Sequence, residues 1–288
     1  MSIYPGTTEG VLEVSDGSVV QYFDSEPRPT SSPLGKGGET VVLIHGTGGT
    51  ALTSYWAVFP MLATKYRTIA LTFDTSKPEF VSLDAFVKQA RESIESRCGT
   101  APVVLVGHSL GAVVAMKLAA EHPEMVETLV TVAGWARTDS HQLLRNNLWR
   151  RLYETNPGLL GEFMTFCSYS RNYLNSLTED GLSALTEKIS GSRDRSDEMQ
   201  LNRSVDISGQ LADIECPTLV VACGHDHMSS PQQSQLLFGG IKNSCYFEIP
   251  SGHSVIHERP SELFIAIRDF LRAPYKYPAG TVISRSHA

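Results

Sequence analysis

One serine in this chain stands between two glycines at a sharp change of pattern. The stretch "VVLVGHSLGAVVAMKLAAEHP" runs from Val103 to Pro123, and "GHSLG" (Gly107–Gly111) fits G-x-S-x-G around Ser109. With glycine and serine each near ~7% of residues, about one random chain in ten of this length carries that pattern by accident. Context sharpens it, because a β-branched run precedes the motif and an Ala-rich helical run follows it. A serine at such a corner adopts a strained backbone conformation and projects its side chain, and small neighbours are needed beside it. The chemistry this allows is nucleophilic attack. His108 and Leu110, at the x positions, are not expected to act through their side chains. The Leu110 N–H lies at the start of the helix and can donate to an oxyanion, with the positive end of the helix dipole behind it. A second donor is expected from "HGTGG" (His45–Gly49), where the Thr47 N–H is the candidate. Each such donor is worth ~3 kcal/mol in a transition state. His45, at the strand end before those glycines, reads as a brace for the loop.

A serine needs a base with a pKa near neutrality, and histidine is the natural choice. Nine are present: His45, His108, His122, His141, His225, His227, His253, His257 and His287. His253 sits in "IPSGHSVIHERP", after the last expected strand and before the last expected helix, and is assigned as the base. His122 ends a helix on the surface, His141 falls in a helical insertion and His287 in the tail. His257 follows His253 by one helical turn, but no HExxH pattern or third ligand supports a metal site. The imidazole needs a carboxylate to fix its tautomer. Asp226, in "CGHDHMSSP" after another strand, supplies it, and gives the chain order Ser109, Asp226, His253. Asp139 is the first alternative and Glu258 a remoter one.

These residues need a scaffold that brings them to one edge. "GVLEV" and "SVVQYFD" around "SDG" predict a β-hairpin. "TVVLIHG" (Thr40–Gly46), "RTIALTFD" (Arg67–Asp74), "PVVLVGH" (Pro102–His108), "VETLVTVAG" (Val126–Gly134), "PTLVVACG" (Pro217–Gly224) and "CYFEIP" (Cys245–Pro250) predict strands, most of them unbroken apolar runs. Unbroken runs suit a parallel sheet covered on both faces. Between them, Leu52–Tyr66, Ser82–Ser96 and Pro260–Ala273 predict helices, the first weakened at Pro60 and the last capped by Ser261. Glu26–Thr40, rich in Pro, Gly and Ser, predicts a mobile loop. From Trp135 to about Ser208 the pattern is helical without a buried strand. The expected organisation is an α/β core over 1–134 and 209–274, a helical cap over 135–208, and a tail over 275–288. The cap is expected to cover the carboxyl edge of the sheet, where open α/β sheets bind ligands. Trp135 and Met228 are the expected apolar wall residues of the pocket. Arg137, Arg145, Arg150, Arg151 and Arg171 in the cap are balanced by acidic neighbours and read as a solvated face.

Composition narrows the function classes. The formal net charge is −7 and no basic cluster stands out, which argues against nucleic acid as a partner. No apolar run reaches the ~20 residues of a membrane span, and "MSIYPGTTEG" has no signal-peptide pattern, so no membrane partner and a cytoplasmic location are expected. Five cysteines, widely spaced and without a CxxC pair, read as reduced thiols. The oligomeric state is not encoded legibly, and a homodimer stays open.

Together, "VVLIHGTGG", "VVLVGHSLGAVVAMKLAAEHPE", "IECPTLVVACGHDH" and "IPSGHSVIHERP" resemble the α/β-hydrolase fold superfamily, in its capped serine esterase, lactonase and non-haem haloperoxidase-like branch. The resemblance implies a mostly parallel eight-stranded sheet flanked by helices, with the cap between the sixth and seventh strands. It implies a serine hydrolase that cleaves a carboxylic ester, lactone or thioester of a small apolar molecule through an acyl-enzyme, with no cofactor. Acyl transfer to another acceptor, carbon–carbon bond hydrolysis and slow-turnover ligand reception use the same residue types and remain alternatives. Serine at the elbow disfavours the dehalogenase and epoxide hydrolase reactions, whose relatives carry aspartate there. One departure concerns the wall of the pocket: the glycine-rich loop usual after the fourth strand is replaced by "FDTSKPEFVSLDAF" (Phe73–Phe86), which contains no glycine.

Overall fold

The computed structural model describes residues 6–26, 40–191 and 193–284. Most of the loop expected over Glu26–Thr40, residues 1–5 and His287 lie outside the described residues. The chain opens with the expected hairpin, β1 (Thr8–Glu13) paired antiparallel with β2 (Val19–Asp24). It continues through β3 (Thr40–Ile44), α1 (Ala51–Tyr55), α2 (Val58–Ala63), β4 (Arg67–Thr72), α3 (Leu83–Cys98), β5 (Val103–His108), α4 (Leu110–Glu121) and β6 (Val126–Val132). Five helices follow: α5 (Ser140–Thr155), α6 (Pro157–Ser168), α7 (Arg171–Ser176), α8 (Glu179–Ser190) and α9 (Ser196–Arg203). The pattern then closes with β7 (Thr218–Cys223), α10 (Pro231–Gly240), β8 (Ser244–Ile249), α11 (Val255–Glu258), α12 (Pro260–Leu271) and β9 (Thr281–Val282).

The strands form one sheet in the order β1-β2-β4-β3-β5-β6-β7-β8-β9. From β4 across to β9 every pairing is parallel, and only β1 and β2 run against their neighbours. The unbroken apolar runs explain this arrangement. Val42 and Ile44 enter the core on one face of the sheet, while Val41 and Leu43 enter the core on the other, and all four are fully buried. A strand with no polar side is stable only when helices cover both faces. Here α3, α4 and α10 supply residues to the first core and α1, α2, α11 and α12 to the second.

Three local details depart from the sequence reading. The helix expected over Leu52–Tyr66 is two helices, interrupted at Trp56–Ala57. Pro60 has no N–H to give the Trp56 carbonyl four residues back, so the break falls one turn before the proline. Ser261 does not cap α12: Arg259 occupies that position without a side-chain cap, and Pro260 starts the helix with a pre-set φ. The tail adds a ninth strand, Thr281–Val282, which pairs with Cys245 and Tyr246 of β8. By contrast, α3 starts at Ser82, whose side chain accepts from the Ala85 N–H, and α5 starts at Asp139 in a capping box with Gln142. The five cysteines are free thiols, three of them buried. Among the described residues no helix is long and apolar enough to cross a membrane.

Candidate active site

β5 ends at His108 and α4 begins at Leu110, which leaves Ser109 alone to make the corner. Its backbone has φ 57° and ψ −122°, a region that side-chain-bearing residues avoid at a cost of about 1–3 kcal/mol. The conformation is held by the Ser109 N–H donating to the Val132 carbonyl at 2.9 Å. The glycines of the motif are required by packing. A Cβ on Gly111 would lie 2.1 Å from the Ile44 carbonyl oxygen, and one on Gly107 would lie 2.3 Å from the Gly111 oxygen. The α4 start is therefore pressed against the end of β3, and the strain at Ser109 follows from that close approach.

The loops after β7 and β8 bring the other two groups to the same edge. His253 Nε2 lies 2.8 Å from Ser109 Oγ, and His253 Nδ1 lies 2.7 Å from Asp226 Oδ2. All three residues are buried. The second carboxylate oxygen of Asp226 accepts from the N–H groups of Met228 at 2.6 Å and Ser229 at 2.9 Å. Those two bonds fix the carboxylate, and the carboxylate fixes the ring, so that Nδ1 carries the proton and Nε2 faces the serine as an acceptor. His108 Nε2–H donates to the His253 carbonyl at 2.9 Å and anchors the loop from below. Burial drops the His108 pKa to about 3, so it is a fixed neutral donor.

The alternative acids are engaged elsewhere. Asp139 caps α5 and accepts from Gln233 Nε2 at 2.8 Å. Glu258 accepts from the Gly252 N–H at 3.0 Å and from the N–H and hydroxyl of Ser170 at 2.8 and 2.6 Å, tying the His253 loop to the residue that caps α7. His257 bridges Tyr169 and the Thr53 carbonyl, each at 3.2 Å. Among the described residues no cluster of metal-ligating side chains forms.

The loop after β3 lies directly over Ser109. A Cβ on Gly46 would come within 2.8 Å of the Ser109 Cβ, so only glycine allows the approach. His45 braces this loop as expected: its Nε2 accepts from the Phe73 N–H at 3.2 Å, which leaves Nδ1–H to donate to the Gly46 carbonyl at 2.8 Å. Burial lowers its pKa to about 4, which keeps that tautomer neutral. The Gly48 N–H donates to Glu198 at 2.8 Å and the Gly49 N–H to the Gly46 carbonyl at 3.0 Å. The Thr47 N–H has no acceptor among the described residues, and Leu110, first in α4, has no intrahelical acceptor for its own. Asn202 Nδ2 donates to Thr47 Oγ1 at 2.9 Å. α9 thus grips the loop at two successive residues. Sequence reasoning missed Glu198 and Asn202, because nothing local marks a partner some 150 residues away.

Ser109, His253 and Thr47 line a cavity of about 210 Å³ between the sheet edge and the helices that follow β6. Trp135 and Met228 line it, together with Met164 and Met199. The glycine-free segment Phe73–Phe86, expected to shape the pocket wall, contributes no residue to the lining of this cavity; it is held instead by Gln89, a buried side chain of α3 that accepts from the Asp74 N–H at 2.8 Å and donates to the Asp74 carbonyl at 3.2 Å. The five arginines expected on a solvated face divide, and one of them departs from it. Arg137, Arg150, Arg151 and Arg171 are exposed, but Arg145 is buried and lines the cavity. It lies on the inward face of α5 with Gln142, Asn146 and Trp149, a spacing that charge balance alone conceals.

The profile of the Alpha/beta hydrolase family matches residues 41–267. In sequence the chain is 28% identical over 246 residues to the pyrrolizixenacetamide deacetylase of Xenorhabdus hominickii, covering 81% of this chain and 91% of that protein. In structure it is similar to Rv0554 from Mycobacterium tuberculosis, with a TM-score of 0.74 at 24% identity over 92% of this chain and 98% of that one. It is also similar to the enol-lactonase from Burkholderia xenovorans LB400, with a TM-score of 0.74 at 18% identity over 91% of this chain and 99% of that one. At those identities the two structures share a fold with this chain and carry nothing further.

Proposed function

This chain belongs to the alpha/beta hydrolase family, and from that premise we propose that it hydrolyses the ester, lactone, thioester or amide bond of a small molecule through an acyl-enzyme. The observation that carries the reading is the unbroken line of contacts from Asp226 through His253 to the strained Ser109, at 2.7 and 2.8 Å. In this reading Ser109 Oγ attacks the carbonyl carbon while His253 Nε2 takes its proton. The carbonyl oxygen becomes an oxyanion held by the Leu110 and Thr47 N–H groups. His253 returns the proton to the leaving oxygen, sulfur or nitrogen. A water then gives a proton to the same ring as it attacks the acyl carbon, and the ring passes that proton to Ser109 Oγ as the acyl–oxygen bond breaks, which releases the acid and restores the free serine. Helices α5–α9 serve as the cap that closes the cavity, and Trp135 and Met228 hold the apolar part of the substrate. Amides join the panel of substrates because the Xenorhabdus relative is named a deacetylase.

The experiment is a hydrolysis screen of short methyl esters, lactones, thioesters and N-acetyl amides with the wild type and Ser109→Ala. The expected outcome is turnover of one class by the wild type and a loss of about 10⁴-fold or more in the variant. Equal turnover by the two proteins would overturn the proposal.

A further inference from the structure

Arg145 stands out among the groups that line the cavity. Its side chain is buried, with 9% of the residue exposed, and its Nε and Nη1 atoms have no hydrogen-bond partner. Buried guanidinium groups are otherwise paired, since a charge taken from water without a partner is strongly disfavoured. Nearby carboxylates do not supply the partner. Asp226 is engaged by His253 and two backbone N–H groups, and Asp139 by Gln142 and Gln233. Glu198, the other buried acid of the cavity region, is engaged by Gly48 and by Arg193 at 2.8 Å. A second cation, Arg195, also lines the cavity. Among the described residues the cavity lining therefore carries two arginines and no carboxylate, and two of the three guanidinium nitrogens of Arg145 have no partner.

We propose, resting on the hydrolase reading above, that the substrate carries an ionised carboxylate and that Arg145 binds it. The guanidinium presents paired N–H donors in a plane, which matches the two oxygens of a carboxylate. A cavity of about 210 Å³ lies below the roughly 300 Å³ at which sites for drug-sized ligands begin. The substrate class is therefore a short-chain ester, lactone or amide with a free acid group, such as the half-ester of a small dicarboxylic acid. Arg145 then orients the substrate on Ser109, and the cost of burying the unpaired cation is offset when that acid binds.

The test uses two pairs of compounds, each matched in shape. Monomethyl succinate is compared with methyl 4-methylpentanoate, and acetoxyacetate with isobutyl acetate, so that the carboxylate lies on the acyl side in one pair and the alcohol side in the other. The readout is the ratio of kcat/KM, charged over neutral. The wild type is expected to favour the charged member of at least one pair by about 30-fold, the effect of a charge-assisted contact. Arg145→Met is expected to bring that ratio to about one. Arg145→Lys, which keeps the charge and loses the planar fork, retains part of it, and Arg137→Met on the exposed surface retains all of it. A wild-type ratio near one in both pairs, or a preference that survives Arg145→Met, would overturn the inference. Calorimetric binding of the same four compounds to Ser109→Ala, with and without Arg145→Met, reads carboxylate recognition without turnover. If no compound is hydrolysed but the acids still bind through Arg145, the hydrolase reading fails and the inference about Arg145 stands.

Discussion

Replacing Asp226 with asparagine separates geometry from charge at the candidate active site. Oδ1 of Asp226 accepts from two backbone N–H groups, and an amide NH₂ cannot accept. The asparagine oxygen must therefore take that position, which turns its NH₂ toward His253 Nδ1, 2.7 Å away in the wild type. The NH₂ donates, so Nδ1 must lose its proton and Nε2 must carry one. Nε2–H then faces Ser109 Oγ, and the base has become a donor. The structure around it keeps its hydrogen bonds, so the change in stability is expected to stay below about 1 kcal/mol. Activity is expected to fall by about 10⁴-fold. Four decades at about 1.36 kcal/mol each raise the barrier by about 5.4 kcal/mol. The assay is kcat on the best ester of the hydrolysis screen, with a thermal melt of the same preparation. A loss below tenfold would refute the reasoning and move the acid elsewhere. A large fall in Tm would refute the claim that the packing is preserved.

Three further outcomes follow from the geometry. Gly111→Ala places a Cβ 2.1 Å from one carbonyl oxygen and 2.5 Å from another, so it should cost about 3 kcal/mol or more of stability, and a wild-type Tm would contradict this. Glu198→Ala removes the acceptor of the Gly48 N–H and loosens the loop over Ser109; kcat should fall about 10- to 100-fold with little change in KM, and Glu198→Gln should restore most of it. An equal loss in both variants would place the effect on charge rather than on the hydrogen bond. Stability should also depend on pH through the buried histidines. His45 and His108 have pKa values lowered by burial to about 4 and about 3 in the native state, against 6.5 unfolded. The unfolded chain takes up protons that the native state refuses. Stability from these groups is therefore full above pH 6.5 and is lost as pH falls, by about 1.4 kcal/mol per pH unit for each ring. Denaturant unfolding between pH 7.5 and 5 checks this, and a flat profile would contradict it.

The parts of this molecule written in short-range pattern were legible in the sequence. Unbroken runs such as Thr40–Ile44 announce a strand covered on both faces, and Ser82 announces the start of α3. Ser109, Asp226 and His253 were legible because each follows a strand end, and strand ends converge at one edge of a parallel sheet. The features that escaped depend on distance or on small margins. The break at Trp56–Ala57 is set by a carbonyl left without a donor rather than by the proline itself. The Thr281–Val282 strand is two residues long, too short to show a period. Charge balance made Arg145 look like its exposed neighbours, whereas its position on α5 puts it on the face shared with Trp149. Gln89, Glu198 and Asn202 act on backbone groups far away in the chain, which no local pattern encodes.

In the proposed mechanism Ser109, activated by His253, attacks a carbonyl carbon. Labelling the folded protein with a serine-directed fluorophosphonate, and mapping the adduct by mass spectrometry in the wild type and in His253→Ala, reads that step. One adduct per chain is expected, on the Ser109 peptide, with labelling slowed by about a hundredfold or more without the imidazole. An adduct on another serine, or a rate that does not change when His253 is removed, would contradict it.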